Sequence, residues 1–106
     1  MENLQKILSD LKNYLLNNYG DSIQDVILFG SQAKGQAVDY SDYDVLIVLE
    51  GDYTSRDENQ ILDLCYDIDL KYDILLDVHL LSTKELDSIR GRQPIYQDAI
   101  QSGIYA

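Results

Sequence analysis

Asp42-Tyr43-Asp44-Val45-Leu46-Ile47-Val48-Leu49-Glu50 is the stretch that decides the fold. Val45 to Leu49 is apolar without a break and carries three β-branched residues, so the spacing predicts a buried strand over Tyr43 to Glu50. Gly51-Asp52 closes it with turn chemistry. Two similar runs lie on either side, Asp25 to Phe29 and Asp73 to Leu81. Three runs that must be covered on both faces call for helices between them.

The sequence supplies those helices. Leu4, Ile7, Leu8, Leu11 and Leu15 recur at helical spacing, which predicts a helix from about Glu2 to Asn18 with one core-facing stripe. Ile61, Leu64, Cys65 and Ile68 give a second stripe, ending near Leu70, and Ser55 with Glu58 has the spacing of its capping box. Ser82 with Glu85 reads as another capping box, opening a short helix to about Ser88. Pro94 suits the first turn of a last helix ending near Gly103. The expected class is therefore α/β (α+β): a small sheet of three to four strands flanked by helices, in one domain over residues 1–106.

Composition narrows the function. The chain has 106 residues, 45% of them hydrophobic and 25% charged, which is ordinary globular usage. Lys and Arg number 8 against 19 Asp and Glu, a formal charge of −11. Such a surface repels phosphate backbones, so direct nucleic-acid binding is not expected. One cysteine, Cys65, excludes an internal disulfide and a thiolate metal cluster, and reads as a small core residue. Met1 to Asp10 has no basic start, and no apolar run approaches a membrane span. A soluble cytoplasmic protein is expected.

The informative residues are polar ones placed where strands should be apolar. Gly30-Ser31 follows the first strand directly. It is either a plain turn or a bend whose free amides and hydroxyl favour an anion. Gly30 and Gly35 have the glycine spacing of a P-loop, but Gln36 and Ala37 stand where that motif needs Lys and Ser or Thr. Asp42 and Asp44, at i and i+2, share one face of the second strand's head. Both acids stand in water there, or they share a divalent cation, since Mg²⁺ takes oxygen ligands. Asp77 interrupts Ile74-Leu75-Leu76-Asp77-Val78. A buried acid needs a partner, either a lysine or arginine or a metal shared with Asp42 and Asp44. Asp73, Leu75, Asp77 and His79 would share a face. His79 alone makes no zinc site, and it reads as a structural residue, a substrate contact or a ligand.

Gly30-Ser31, then Asp42-x-Asp44, then Asp77 on a later strand resembles the nucleotidyltransferase motif of the DNA polymerase β superfamily. Leu28-Phe29-Gly30-Ser31-Gln32-Ala33-Lys34-Gly35 and the strand around Asp77 are the closest matches. The small size resembles the minimal nucleotidyltransferase (MNT) group, antitoxin partners of HEPN ribonuclease toxins. That resemblance implies a mixed sheet, with Asp42, Asp44 and Asp77 as catalytic residues and ligands of Mg²⁺. It implies that Gly30 and Ser31 hold the triphosphate of ATP. The family often has Arg where this chain has Gln32, and Lys34 would supply the positive charge instead, unless it is simply solvated. The implied activity is transfer of AMP to a tyrosine of a HEPN toxin. The alternatives are an antitoxin acting by binding alone and a nucleotidyltransferase for a small molecule.

Overall fold

The computed structural model describes residues 4–33, 35 and 42–106, Ser31 by its backbone only. Its centre is β2 (Tyr43–Leu49), buried at every position from Val45 onward. On one side β2 pairs antiparallel with β1 (Ile23–Phe29), with Phe29 opposite Asp44 and Ile47 opposite Val26. On the other it pairs in parallel with β3 (Leu76–Ser82), with Asp44 opposite Asp77 and Leu46 opposite His79. A fourth strand, β4 (Ile104–Tyr105), adds antiparallel to β1, giving the order β3-β2-β1-β4. The sheet is mixed and four-stranded, as expected. β4 was not foreseen, because two residues carry no readable period.

Alternation along the strands divides the core. Val45, Ile47 and Leu49 pack with Val26, Leu28 and Leu80 beneath α1 (Leu4–Asn18) and α3 (Ser55–Tyr72). Helix α1 buries Ile7, Leu8, Leu11 and Leu15, the stripe read from the sequence, and α3 buries Ile61, Cys65 and Ile68 with Tyr72. The opposite face, Ile27, Phe29, Leu46, Val48 and Leu81, is covered by Tyr96 and Ala99 of α4 (Pro94–Ser102). Pro94 stands in the first turn of α4 and Gly103 caps its end, both as expected.

Local boundaries differ from expectation for identifiable reasons. The cap of α3 is Thr54, one residue earlier than Ser55. Its Oγ1 accepts from Asp57 N at 3.2 Å, and Asp57 Oδ2 accepts from Thr54 N at 2.8 Å. Aspartate reaches back here as glutamate would in the usual box. The third strand begins at Leu76 rather than Asp73. Asp73 takes left-handed backbone (φ 53°) at the end of α3, a conformation that Asp tolerates. The face expected to hold Asp73 with Asp77 therefore begins later. The helix expected over 82–88 is a single 3₁₀ turn, Thr83–Glu85, although Ser82 N does donate to Glu85 Oε1 at 3.1 Å. Ser88 Oγ donates to the Glu85 carbonyl at 2.6 Å, a local bond that competes with continued helix. Among the described residues, no helix is long and apolar enough to cross a membrane.

Candidate metal and nucleotide site

The α4 face of the sheet is apolar until it reaches one end. There Asp44 on β2 and Asp77 on β3 are register partners, and His79 follows Asp77 on the same face. One ligand atom from each of Asp44, Asp77 and His79 lies within 4.8 Å of the others. Asp44 is partly buried, Asp77 is exposed, and His79 is partly buried. Parallel pairing forces this proximity. Two acids in register on adjacent strands cannot avoid each other without breaking the ladder.

The electrostatics follow. Asp44 has its pKa raised above the ordinary 3.8, first by burial, next by the hydrogen bond and charge of Asp77, and least by the charge of Asp42. His79 works in the opposite direction. Asp42 stands exposed just ahead of β2, outside the tight three-residue group but close enough to act on Asp44. Among the described residues, no lysine or arginine forms an ion pair with Asp44 or Asp77. The side-chain nitrogen that approaches Asp77 is His79 Nε2, 3.4 Å from Asp77 Oδ2. That approach lacks hydrogen-bond geometry, so His79 Nε2 is buried without a hydrogen-bond partner. The ring is held by Phe29, 5.4 Å between centroids, and edge-on by Tyr96 at 6.3 Å.

Gly30 completes the arrangement from the end of β1, as the first residue of the short helix α2 (Gly30–Ala33). Its backbone has φ +77°, and an added Cβ would run into the Asp44 carboxyl group. The absence of a side chain is what lets the chain turn against Asp44. Ser31 is the second residue of α2, and its side chain is not among those described. Lys34 also lies outside the described residues.

These residues fit a divalent cation. Two carboxylates held together, one partly desolvated, and a histidine nitrogen left unbonded form an oxygen-rich donor set that lacks compensating positive charge. Two grooves elsewhere offer less. The one between α1 and α3 is lined by Asp10, Tyr14, Asp67 and Lys71. Its charged groups are already engaged: Tyr14 OH donates to Asp67 at 2.5 Å and Lys71 Nζ to Asp10 at 3.0 Å. The other, lined by Asp52, Tyr53, Ser82 and Glu85, offers acids but no such converging set. The chemistry therefore concentrates at the acidic sheet end. Sequence alternation had placed His79 on the face of Asp77, but nothing in one sequence set it within reach of Asp44, which required the parallel register.

Comparison with known proteins agrees with the fold. Residues 6–105 match the family described as Nucleotidyltransferase domain. The chain is 29% identical over 101 residues to a Methanocaldococcus jannaschii protein named "Putative protein adenylyltransferase MJ0604", covering 95% of each chain. It is 31% identical over 94 residues to "Putative protein adenylyltransferase MJ1305" of the same organism, covering 87% of this chain and 63% of that one. A third M. jannaschii protein, "Putative protein adenylyltransferase MJ0141", is 35% identical over 71 residues, 67% of this chain and 72% of the relative. A crystal structure from Sulfolobus solfataricus, described as that of "a putative nucleotidyltransferase", superposes with a TM-score of 0.57 at 19% identity. That superposition covers 95% of this chain and 79% of that one, and it supports the shared fold.

Proposed function

Since the chain belongs to the nucleotidyltransferase domain family, we propose that it transfers AMP from ATP to a tyrosine hydroxyl of a partner HEPN ribonuclease toxin, and so acts as that toxin's antitoxin in the cytoplasm. The convergence of Asp44 with Asp77 beside Gly30 carries this reading. The names of the relatives, all protein adenylyltransferases, support a protein acceptor.

In this reading Asp44 and Asp77, with Asp42 at the strand head, hold Mg²⁺. The ion supplies offsetting positive charge for the triphosphate and the departing pyrophosphate. The Gly30-Ser31 bend lets backbone amides approach the phosphates, with Lys34 adding charge. Asp77, the more exposed acid of the pair, accepts the phenolic proton. The tyrosine oxygen forms a bond to the α-phosphorus, the bond from that phosphorus to the bridging oxygen breaks, and pyrophosphate leaves with the electron pair. His79 and Phe29 wall the site from the α4 side.

The test is to mix the chain with the HEPN protein, ATP and Mg²⁺, and to weigh the HEPN protein by mass spectrometry. A gain of one or more adenylyl groups on tyrosine is expected, lost in the Asp42→Ala, Asp44→Ala double variant. An unmodified HEPN protein held in a stable complex would instead establish neutralisation by binding alone.

A further inference from the structure

Exposed apolar side chains scattered singly need no explanation, but three of them here form one line on α3 and a fourth follows soon after the helix. Leu62, Tyr66 and Leu70 on α3 are 38%, 59% and 66% exposed, and Leu75, just past the helix, is 61% exposed. The first three fall at i, i+4 and i+8, one strip of helix surface. Asp67 and Lys71, on the strip that meets α1, bond to Tyr14 and Asp10. Each is rotated by about 100° from the residue before it, Tyr66 or Leu70. The apolar line thus lies off the α1 contact and faces solvent.

Its far end is at the acidic site. The Leu75 carbonyl accepts from Tyr43 N at 2.8 Å, the bond that opens the β2–β3 ladder. Leu75 is two residues from Asp77, and Tyr43 lies between Asp42 and Asp44. The ridge thus ends at the head of the β2–β3 ladder, where Asp44 and Asp77 stand on the other face of the sheet, so a protein lying along it reaches the carboxylates around that end.

Charge selects the occupant. Helix α3 carries Asp57, Glu58, Asp63, Asp67 and Asp69 against Arg56 and Lys71. Glu58, Asp63 and Asp67 are exposed around the ridge. A second copy would bring the same acids and the same −11 charge against them. We infer that Leu62, Tyr66, Leu70 and Leu75 form the docking ridge for the acceptor protein, a basic partner that presents an amphipathic helix whose apolar face is flanked by lysine or arginine. This rests on the protein-acceptor reading above.

The experiment uses two labelled lysine–leucine peptides of identical composition, one an amphipathic helix and one scrambled. Affinities for the whole chain are read by fluorescence anisotropy, with sedimentation in parallel. The amphipathic peptide is expected to bind at least about tenfold more tightly, and Tyr66→Ser with Leu70→Ser is expected to erase that preference while unfolding at an unchanged temperature. Equal binding of the two peptides, or a preference that survives the substitutions, overturns the ridge. So does a wild-type dimer that the substitutions turn into monomer, because the ridge would then serve self-association. None of these readings uses catalysis. A chain that keeps the peptide preference but adenylylates nothing contradicts the proposed reaction and leaves the ridge standing.

Discussion

Gly30 lies against Asp44, close enough that a β-carbon on the glycine would occupy the space of the Asp44 carboxyl group. The glycine also sits at φ +77°, where side chains are strained. Gly30→Ala is therefore expected to cost about 1–3 kcal/mol from backbone strain alone. Displacement of Asp44 adds to that cost. In an Asp44→Ala background the steric part should vanish and the backbone part remain. A double-mutant cycle by urea unfolding checks this: the two substitutions should fall short of additivity, whereas strict additivity would mean the contact is not formed.

Acid stability should show two opposed limbs. Asp44 titrates above its ordinary value, so the folded state holds the proton more tightly than the unfolded chain. Its contribution is fully present below the unfolded value of 3.8 and is lost as pH rises through the higher folded value. Asp57 is lowered, chiefly by the Thr54 backbone hydrogen bond, and Asp10 chiefly by Tyr72 with Lys71 next. Their contributions are present above the unfolded value and fade as pH falls through the lower folded ones. In metal-free protein the unfolding midpoint should rise on mild acidification from neutrality, then fall below about pH 4. Asp69, raised by burial, adds to the first limb, so Asp44→Asn should shrink that limb and leave the second, as followed by thermal melts across pH.

Moving the helix cap from Ser55 to Thr54 has a direct consequence. Thr54→Ala should cost about 1 kcal/mol, the usual loss of an N-cap. Ser55→Ala should stay within about 0.5 kcal/mol, as at ordinary exposed positions. Equal effects in denaturant titrations would contradict the Thr54–Asp57 pairing.

Cys65 should be inert in the native protein. It is 2% exposed, and burial pushes its thiol up to about 12. At pH 8 an aromatic disulfide reagent should label it only as fast as the chain opens, and fully once denatured. Labelling at the rate of a free thiol would place it at the surface.

The helices and strands were legible where periodicity runs long enough to be read. The α1 stripe, the apolar core of β2 and the Pro94 start of α4 all announce themselves. β4 did not, since pairing with β1 decides two residues that have no pattern of their own. The start of β3 was misplaced because Asp73 and Ile74 look like strand residues until Asp69 claims them, its carbonyl accepting from Asp73 N and from Ile74 N at 3.1 Å. At the site, Asp77 stood out because an acid within an apolar run demands a reason. The closeness of Asp44, Asp77 and His79 was not legible, because it depends on the parallel register of two strands separated by a whole helix.

The proposed cation site depends on Asp44 and Asp77, register partners on β2 and β3. The most direct measurement is the unfolding midpoint of wild type, Asp44→Asn and Asp77→Asn with and without Mn²⁺ or Mg²⁺. Without metal, Asp44→Asn should melt higher than wild type, because a partly buried like-charge contact is gone. Metal should stabilise wild type by several degrees, in proportion to binding, and should barely move either variant. If metal shifts all three proteins alike, or none of them, the acid pair is not a cation site.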